Sequence, residues 1–119
     1  MSRPVALVTG AASGIGQAVA VAYARMGVRV MGGYLPADPH DPAETERLVA
    51  QAGGECSMMA MDVTDSASLD AIAAAAVERF GRLDYAVANA GLLRRAPLLE
   101  MSDEQWNEML NVDLTGVMR

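Results

Sequence analysis

The sequence predicts an α/β fold, a Rossmann-like doubly wound parallel sheet with helices on both faces. Segments of strand and helix character alternate four times along the 119 residues, and strict alternation is typical of parallel sheets with right-handed crossovers. The strand candidates are short apolar runs without polar alternation, which favours strands that are buried on both faces. No repeat, low-complexity tract or linker divides the sequence, so residues 1–119 are expected to form a single domain.

Glycine and proline mark the ends of the first two strand–helix units. The first helix carries apolar residues at helical spacing, and Gly27 stands where a C-terminal cap belongs. The second helix is expected to start with Asp41 as N-cap, Pro42 in the first turn and Glu44 as the acid of a capping box. The predicted bounds are Val5–Thr9 and Val28–Tyr34 for the strands, and Gly14–Met26 and Pro42 to about Ala52 for the helices.

The third and fourth units follow the same pattern. An Ala-rich helix is expected after an N-cap at Asp65 or Ser66, and Gly81 ends it. Ser102, with Gln105 three residues later, starts the last helix. The predicted strands are Cys56–Met61 and Leu83–Asn89, and the apolar face of the Ala-rich helix is Leu69, Ile72, Ala76 and Phe80.

A glycine-rich segment, residues 9–16, lies between the first strand and the first helix. It reads Thr-Gly-Ala-Ala-Ser-Gly-Ile-Gly, and this Gly-x-x-x-Gly-x-Gly spacing differs from the Gly-x-Gly-x-x-Gly of most dinucleotide folds. Glycines let the backbone turn tightly and approach a ligand, and the free N–H groups at a helix N-terminus attract a phosphate. Glycine-rich turns also occur without any ligand, but the place between a strand and a helix favours a phosphate site.

This segment resembles the cofactor loop of the short-chain dehydrogenase/reductase family, whose pattern is Thr-Gly-x-x-x-Gly-Ile-Gly. Asp62-Val63 looks like the family's Asp-[Val/Leu] pair, whose carboxylate and neighbouring amide contact the adenine ring of the cofactor; a plain helix-capping acid is the alternative interpretation of Asp62. Further motifs of the family's fourth long helix are matched by Trp106 and by Leu114-Thr115-Gly116. The resemblance therefore extends along the whole sequence.

Asn89-Ala90-Gly91 resembles the last three residues of the family's Asn-Asn-Ala-Gly motif, with Ala88 in place of the first Asn. In the family this Asn braces the first and fourth strands, which implies a bond from Asn89 to Thr9. With a strand order of 3-2-1-4, the glycine-rich segment and Asn89 would meet in one crevice, because ligands bind at the carboxyl ends of parallel strands where the strand order reverses. The implied cofactor-binding residues are Thr9, Gly10, Ser13, Gly14, Ile15, Gly16, Tyr34, Asp62, Val63, Asn89, Ala90 and Gly91.

The cofactor is expected to be NAD or NADP, and the sequence leaves both open. An acid at the end of the second strand bonds to the ribose hydroxyls and repels a 2′-phosphate, which favours NAD, but Tyr34 occupies that position. Ser13 stands where family members that prefer NADP often carry Arg or Lys. Asp38, His40 and Asp41 follow nearby; they are interpreted as solvated loop residues, with contact to the ribose as the alternative.

The family's chemistry uses a Ser, a Tyr and a Lys four residues after the Tyr, which lowers the pKa of the phenol and makes it a usable base. The 119 residues contain no Lys and therefore no Tyr-x-x-x-Lys pair, and in the family that pair lies downstream of Arg119. The family's fourth catalytic residue, an Asn, aligns with Asp113 rather than with Asn111. The resemblance thus covers the first half of the family domain, and the sequence alone is expected to be inactive.

Composition excludes several partners. Nine basic residues against fifteen acidic ones give a net charge of −6, which argues against binding to nucleic acid or to anionic membranes. Cys56 is the single cysteine, so neither an intramolecular disulfide nor a thiolate metal cluster is expected. No metal site, signal segment or membrane span is indicated, and a cytoplasmic location is expected.

Two hypotheses about function follow. The first is an NAD(P)-dependent oxidoreductase that transfers hydride between nicotinamide and a small carbonyl or alcohol substrate, represented here by its dinucleotide-binding half. The second is a naturally truncated, non-catalytic nucleotide-binding or interaction module. The resemblance also implies a homo-oligomer, because the family's fourth and fifth long helices commonly form a dimer interface.

Overall fold

The structure, a computed structural model, describes residues 3–119. Four strands form one parallel sheet in the order β3-β2-β1-β4, which confirms the predicted fold class and strand order. The strands are β1 Val5–Thr9, β2 Arg29–Tyr34, β3 Cys56–Ala60 and β4 Tyr85–Val87. The helices are α1 Gly14–Arg25, α2 Pro42–Gln51, α3 Ser66–Phe80, α4 Asp103–Leu110 and α5 Gly116–Met118.

Both faces of the central strands β1 and β2 are covered, and their side chains alternate between the two faces. Val8 and Val30 pack with Ala20, Ala24 and Val49 of α1 and α2 on one face. On the other face, the side chains of β1, β2 and α3 form a second buried cluster that includes Val5, Leu7, Met31, Ile72, Ala76 and Phe80. Strand β1 is buried along its whole length. Its carboxyl end therefore holds the start of the glycine-rich segment in a fixed place.

Helix caps form largely where the sequence places them. Asp41 accepts a hydrogen bond from the Ala43 N–H at 2.9 Å, and Ser102 and Gln105 form a complete capping box. The expected capping-box role of Glu44 is wrong, since its carboxylate pairs with Arg47, whose Nε lies 2.9 Å away. An ion pair within one turn of the helix has replaced the bond back to the N-cap.

Strand β4 is shorter than the predicted Leu83–Asn89. At its start the Asp84 carboxylate accepts from the Val5 N–H at 2.9 Å, so a side chain takes a place that a strand backbone would fill. At its end the Asn89 N–H turns back to the Val87 carbonyl at 3.0 Å and to the Thr9 hydroxyl at 3.0 Å. The chain therefore leaves the sheet after Val87 and enters the site.

The last helix is not regular, although the sequence predicts one continuous helix. Residues Asn111–Thr115 form a π-helical turn between α4 and α5, in which the Gly116 N–H reaches back to the Asn111 carbonyl. Gly116 packs tightly against Val63, because a Cβ at position 116 would lie 2.8 Å from Cγ2 of Val63. No helix formed by residues 3–119 combines the length and the apolar character needed to cross a membrane.

Candidate functional site

The Thr9 hydroxyl is the centre of the crevice at the carboxyl ends of β1 and β4. Its Oγ1 accepts hydrogen bonds from the backbone N–H groups of Asn89 and Ala90, both at 3.0 Å, and donates to the Val87 carbonyl at 3.4 Å. The Asn89 side chain donates from Nδ2 to the carbonyl oxygens of Thr9 at 3.1 Å and Gly10 at 3.2 Å. The implied bond between Asn89 and Thr9 is confirmed, and it fastens the fourth strand to the glycine-rich segment.

Two glycines allow this close approach. A Cβ on Gly16 would lie 2.6 Å from Nδ2 of Asn89, and one on Gly10 would lie 3.0 Å from the Ala90 Cα. Gly10 also has a φ of +67°, a conformation that residues with a side chain rarely adopt. Both positions therefore require glycine for packing between protein segments.

The N-terminus of α1 points its first residues into open space. Ser13 is the N-cap in an extended conformation, with no capping bond from its side chain. Gly14 has a φ of +56° and open space around the position where a Cβ would be, and the Ile15 side chain is 76% exposed. The first N–H groups of a helix have no carbonyl partner within it, so this end offers unpaired donors and room for a ligand.

Asp62 and Val63 follow β3 and differ in exposure. Asp62 Oδ1 accepts from the Thr64 N–H at 2.9 Å and the Thr64 hydroxyl at 2.7 Å. These hydrogen bonds, together with the charge of Arg119, lower the pKa of the Asp62 carboxyl. The Val63 side chain is buried in the core beside α3, and its carbonyl accepts from Arg119 Nη1 at 3.0 Å, so its N–H is the group that a ligand could contact.

Tyr34 ends β2, and its backbone carbonyl accepts from the Met61 N–H at 2.8 Å. Beyond it, His40 donates through its backbone N–H to Asp38 Oδ1 at 2.8 Å, and its Nδ1 lies 2.7 Å from the same oxygen. Because neighbouring strands lie about 4.8 Å apart, Tyr34 and Asp62 are placed one and two strands away from Thr9 along the same edge of the sheet.

Asp113 lies on the opposite side of the crevice, in the π-helical turn. Its Oδ1 accepts from the Leu92 N–H at 2.7 Å, so the exposed carboxylate holds the loop that follows β4. Arg94 of the same loop pairs with Glu108 of α4 at 3.2 Å. Asn111 lies elsewhere, with its carbonyl and its side-chain oxygen both accepting from Arg119.

Sequence reasoning missed one polar contact beneath the glycine-rich segment. Thr45 of α2 is fully buried, and its hydroxyl donates to the Ala11 carbonyl at 2.8 Å. Gln17 of α1 reaches the same hydroxyl, with its Nε2 at 3.0 Å from Thr45 Oγ1. A signal was available, because Thr45 stands four residues before buried Val49 and thus on the apolar face of α2.

The described chain shows no metal centre. Within residues 3–119, no three His, Cys, Asp or Glu side chains are grouped so that they could hold an ion. Burial raises the pKa of the Cys56 thiol to about 12, which keeps this side chain un-ionised near neutral pH.

A comparison with known protein families identifies the family of this chain. The family model described as short chain dehydrogenase matches residues 4–119. The chain belongs to the short-chain dehydrogenase family. A D-threitol dehydrogenase from Mycolicibacterium smegmatis is 45% identical over 115 residues, which are 94% of this chain and 42% of that protein.

Solved structures of other short-chain dehydrogenases have the same fold. An alcohol dehydrogenase from Thermococcus sibiricus, complexed with 5-hydroxy-NADP, superposes with a TM-score of 0.86 at 37% identity, covering 98% of this chain and 49% of that one. A carveol dehydrogenase from Mycobacterium avium, in complex with NAD, gives a TM-score of 0.86 at 32% identity, covering 99% and 47%. The chain thus spans less than half the length of these short-chain dehydrogenases.

Proposed function

We propose that this chain is the dinucleotide-binding part of an NAD(P)-dependent oxidoreductase. The reaction is a hydride transfer between the nicotinamide and a small carbonyl or alcohol substrate. Membership of the short-chain dehydrogenase family supports the reaction class. The observation that carries the binding proposal is the network in which Thr9 and Asn89 join the ends of β1 and β4 beside the open N-terminus of α1.

The residues present fit such a cofactor. Gly14 faces open space and Ile15 is largely exposed, so a pyrophosphate can approach the free N–H groups of α1. Asp62 and the backbone of Val63 would contact the adenine ring, and Tyr34 lies where the ribose would be. The remaining proposed contacts are those of Thr9, Gly10, Ser13, Gly16, Asn89, Ala90 and Gly91.

Catalysis needs more than this chain provides. When bound, the nicotinamide supplies or accepts the hydride. The proton transfer of the family requires a Tyr-x-x-x-Lys pair, and residues 1–119 contain no Lys, so we propose that the chain alone is inactive. Asp113 occupies the position of the family's catalytic Asn, where it would act by holding the loop after β4.

Both NAD and NADP remain candidates. The relatives of known structure include one complexed with 5-hydroxy-NADP and one with NAD. In this chain the two positions that discriminate the cofactors carry Tyr34 and Ser13, neither of which bears a charge. We propose a cytoplasmic protein that acts on small molecules, in line with its acidic composition and single cysteine.

Titration of the purified chain with NADH and NADPH tests the binding proposal. Cofactor fluorescence should rise and saturate in the micromolar to millimolar range for at least one of them. No response to either cofactor at millimolar concentration would contradict the proposal. Carbonyl reduction by the full gene product with the preferred cofactor, and none by residues 1–119 alone, would separate binding from catalysis.

A second candidate function is a non-catalytic nucleotide-binding or interaction module. Exposed apolar side chains favour it, since Leu98 is 83% and Leu99 is 99% exposed, and Leu114, Val117 and Met118 are also exposed. Surfaces of this kind mark sites of association, which also suits a homo-oligomer. Sedimentation that shows a monomer without apolar dye binding would count against this function.

A further inference from the structure

A buried hydrogen-bonded pair supports the glycine-rich segment from below. Thr45 has no exposed surface, and its hydroxyl donates to the Ala11 carbonyl at 2.8 Å and accepts from Gln17 Nε2 at 3.0 Å. Gln17 Nε2 also donates to the Ala12 carbonyl at 3.3 Å. Two consecutive carbonyls of the segment are therefore held by side chains of two different helices.

These bonds set the direction of two backbone N–H groups. A trans peptide unit is planar, so its N–H points away from its carbonyl. Holding the Ala11 carbonyl towards Thr45 turns the Ala12 N–H the other way, and holding the Ala12 carbonyl towards Gln17 does the same for the Ser13 N–H. The preceding Ala11 N–H is itself fixed by the Gly33 carbonyl of β2 at 2.9 Å.

We propose that Thr45 and Gln17 are positioning residues for the dinucleotide: they hold the peptide units of Ala11 and Ala12 so that the following N–H groups face the pyrophosphate. This inference rests on the proposed cofactor binding. The ligand contacted through these groups is the diphosphate, because oriented backbone N–H groups recognise anions. Neither side chain touches the ligand, and both act through the glycine-rich segment.

A purely structural role makes a different forecast. If Thr45 only packed α2 against the sheet, removing its hydroxyl would lower the stability of the fold and leave the affinity of the folded protein unchanged. If it positions the segment, affinity for ligands that contain a diphosphate falls, while affinity for adenosine, which lacks phosphate, stays the same. The ratio of ADP to adenosine affinity therefore separates the two roles.

The test compares Thr45→Val, which keeps the shape of the side chain and removes the hydroxyl, with Thr45→Ser, which keeps the hydroxyl. Binding of NADH, ADP and adenosine to the full gene product is measured by calorimetry, with folding checked by circular dichroism. For Thr45→Val we expect dissociation constants for NADH and ADP about tenfold higher, and adenosine binding within about twofold of wild type. Thr45→Ser should restore both ligands to within about threefold of wild type.

Gln17→Met provides a second route if Thr45→Val fails to fold, because it removes the amide while the bond from Thr45 to Ala11 remains. It should weaken ADP about threefold to fivefold, whereas the matched control Gln51→Met, at the exposed end of α2, should change nothing. Wild-type affinity for ADP in both the Thr45→Val and Gln17→Met variants, or an equal loss of ADP and adenosine binding, overturns this inference alone. A wild-type protein that binds neither NADH nor ADP overturns the proposed function and this inference together.

Discussion

The Thr9 hydroxyl is the most connected side-chain group of the site. A single oxygen receives the N–H groups of Asn89 and Ala90 and donates to Val87. Removing this hydroxyl would lower stability chiefly by leaving the two N–H groups without an acceptor, because an unpaired buried N–H costs more free energy than its hydrogen bond contributes.

Replacing Thr9 by Val therefore should lower the free energy of unfolding by about 2 kcal/mol, since the two N–H groups lose their acceptor in a site that is mostly closed to water. Thr9→Ser keeps the oxygen and should lose less than about 1 kcal/mol. Denaturant unfolding of the two variants measures the difference. Equal stability of Thr9→Val and wild type would show that water replaces the hydroxyl without cost.

Gly16 is restricted by packing rather than by its backbone conformation. An alanine Cβ there would lie 2.6 Å from Asn89 Nδ2 and 2.8 Å from the Gly10 carbonyl carbon. Gly16→Ala should separate α1 from Asn89, destabilise the fold by about 1–3 kcal/mol and abolish saturable NADH binding.

Gly27→Ala is the matched control for that change. Gly27 has a φ of +79° and nothing within 4 Å of the position of a Cβ. Gly27→Ala should lower the free energy of unfolding by about 1 kcal/mol through backbone strain alone. It should keep the wild-type dissociation constant for NADH, measured by fluorescence titration. Unchanged NADH binding by Gly16→Ala would contradict the assignment of this contact to the site.

The Asp62 carboxyl should make the stability of the fold depend on pH in the acidic range. Hydrogen bonds from Thr64, and the charge of Arg119, lower its pKa in the folded chain. A lowered folded pKa means that the stabilisation is present above the ordinary value of about 3.9 and is lost as pH falls through the lower folded value. Unfolding midpoints of Asp62→Asn, measured from neutral pH to pH 2, should therefore fall less steeply in acid than those of wild type. Parallel curves would mean that Asp62 makes no such contribution.

At the level of the elements, we propose that the carboxyl end of β2 and the N-cap of α1 set the cofactor preference. Neither Tyr34 nor Ser13 carries a charge. A charged residue introduced at either position therefore adds a new charge beside the cofactor. Ser13→Arg should lower the dissociation constant for NADPH relative to NADH, because the guanidinium pairs with the 2′-phosphate. Tyr34→Asp should shift the ratio the other way through repulsion. Titrations with both cofactors measure the ratio, and no shift in either variant would place the ribose elsewhere.

Elements defined by local signals are the ones that the sequence predicts well. Strand β1 has its predicted bounds, and α3 begins after the Asp65 cap and ends at Gly81, whose φ is +88°. Strand β4 and the last helix deviate because distant groups intervene. Asp84 takes a bond from Val5, 79 residues away, and Gly116 reaches back to Asn111 through a π-helical turn.

The same division holds for the site. The bond from Asn89 to Thr9 was predictable because both residues belong to motifs that resemble a known family. The contact of Thr45 with Ala11 was not, since a threonine in a helix has many uses and its partner is 34 residues away. Local patterns locate the segments, and side-chain bonds between distant segments complete the crevice.

At the level of the whole molecule, many of the exposed large apolar residues lie in the part of the chain that follows β4. Leu93, Leu98 and Leu99 belong to the segment after β4, and Leu114 and Val117 to the end of the chain. The buried residues of the two core clusters all lie between Val5 and Phe80. The chain thus combines a well-packed sheet with a last segment whose apolar side chains face outwards.

Because the chain is synthesised from its N-terminus, the hydrogen bonds between Thr9 and Asn89 form late. Thr9 and Asn89 are separated by 80 residues, so during synthesis the hydroxyl leaves the ribosome long before its partners do. Strands β1, β2 and β3 can pair in that interval, whereas the crevice cannot close until Asn89 has emerged. Closing it then costs the loop entropy of joining distant segments. On the proposed function, a nascent chain therefore pairs β1, β2 and β3 before it can hold a nucleotide, and nucleotide binding would report that Asn89 has reached Thr9.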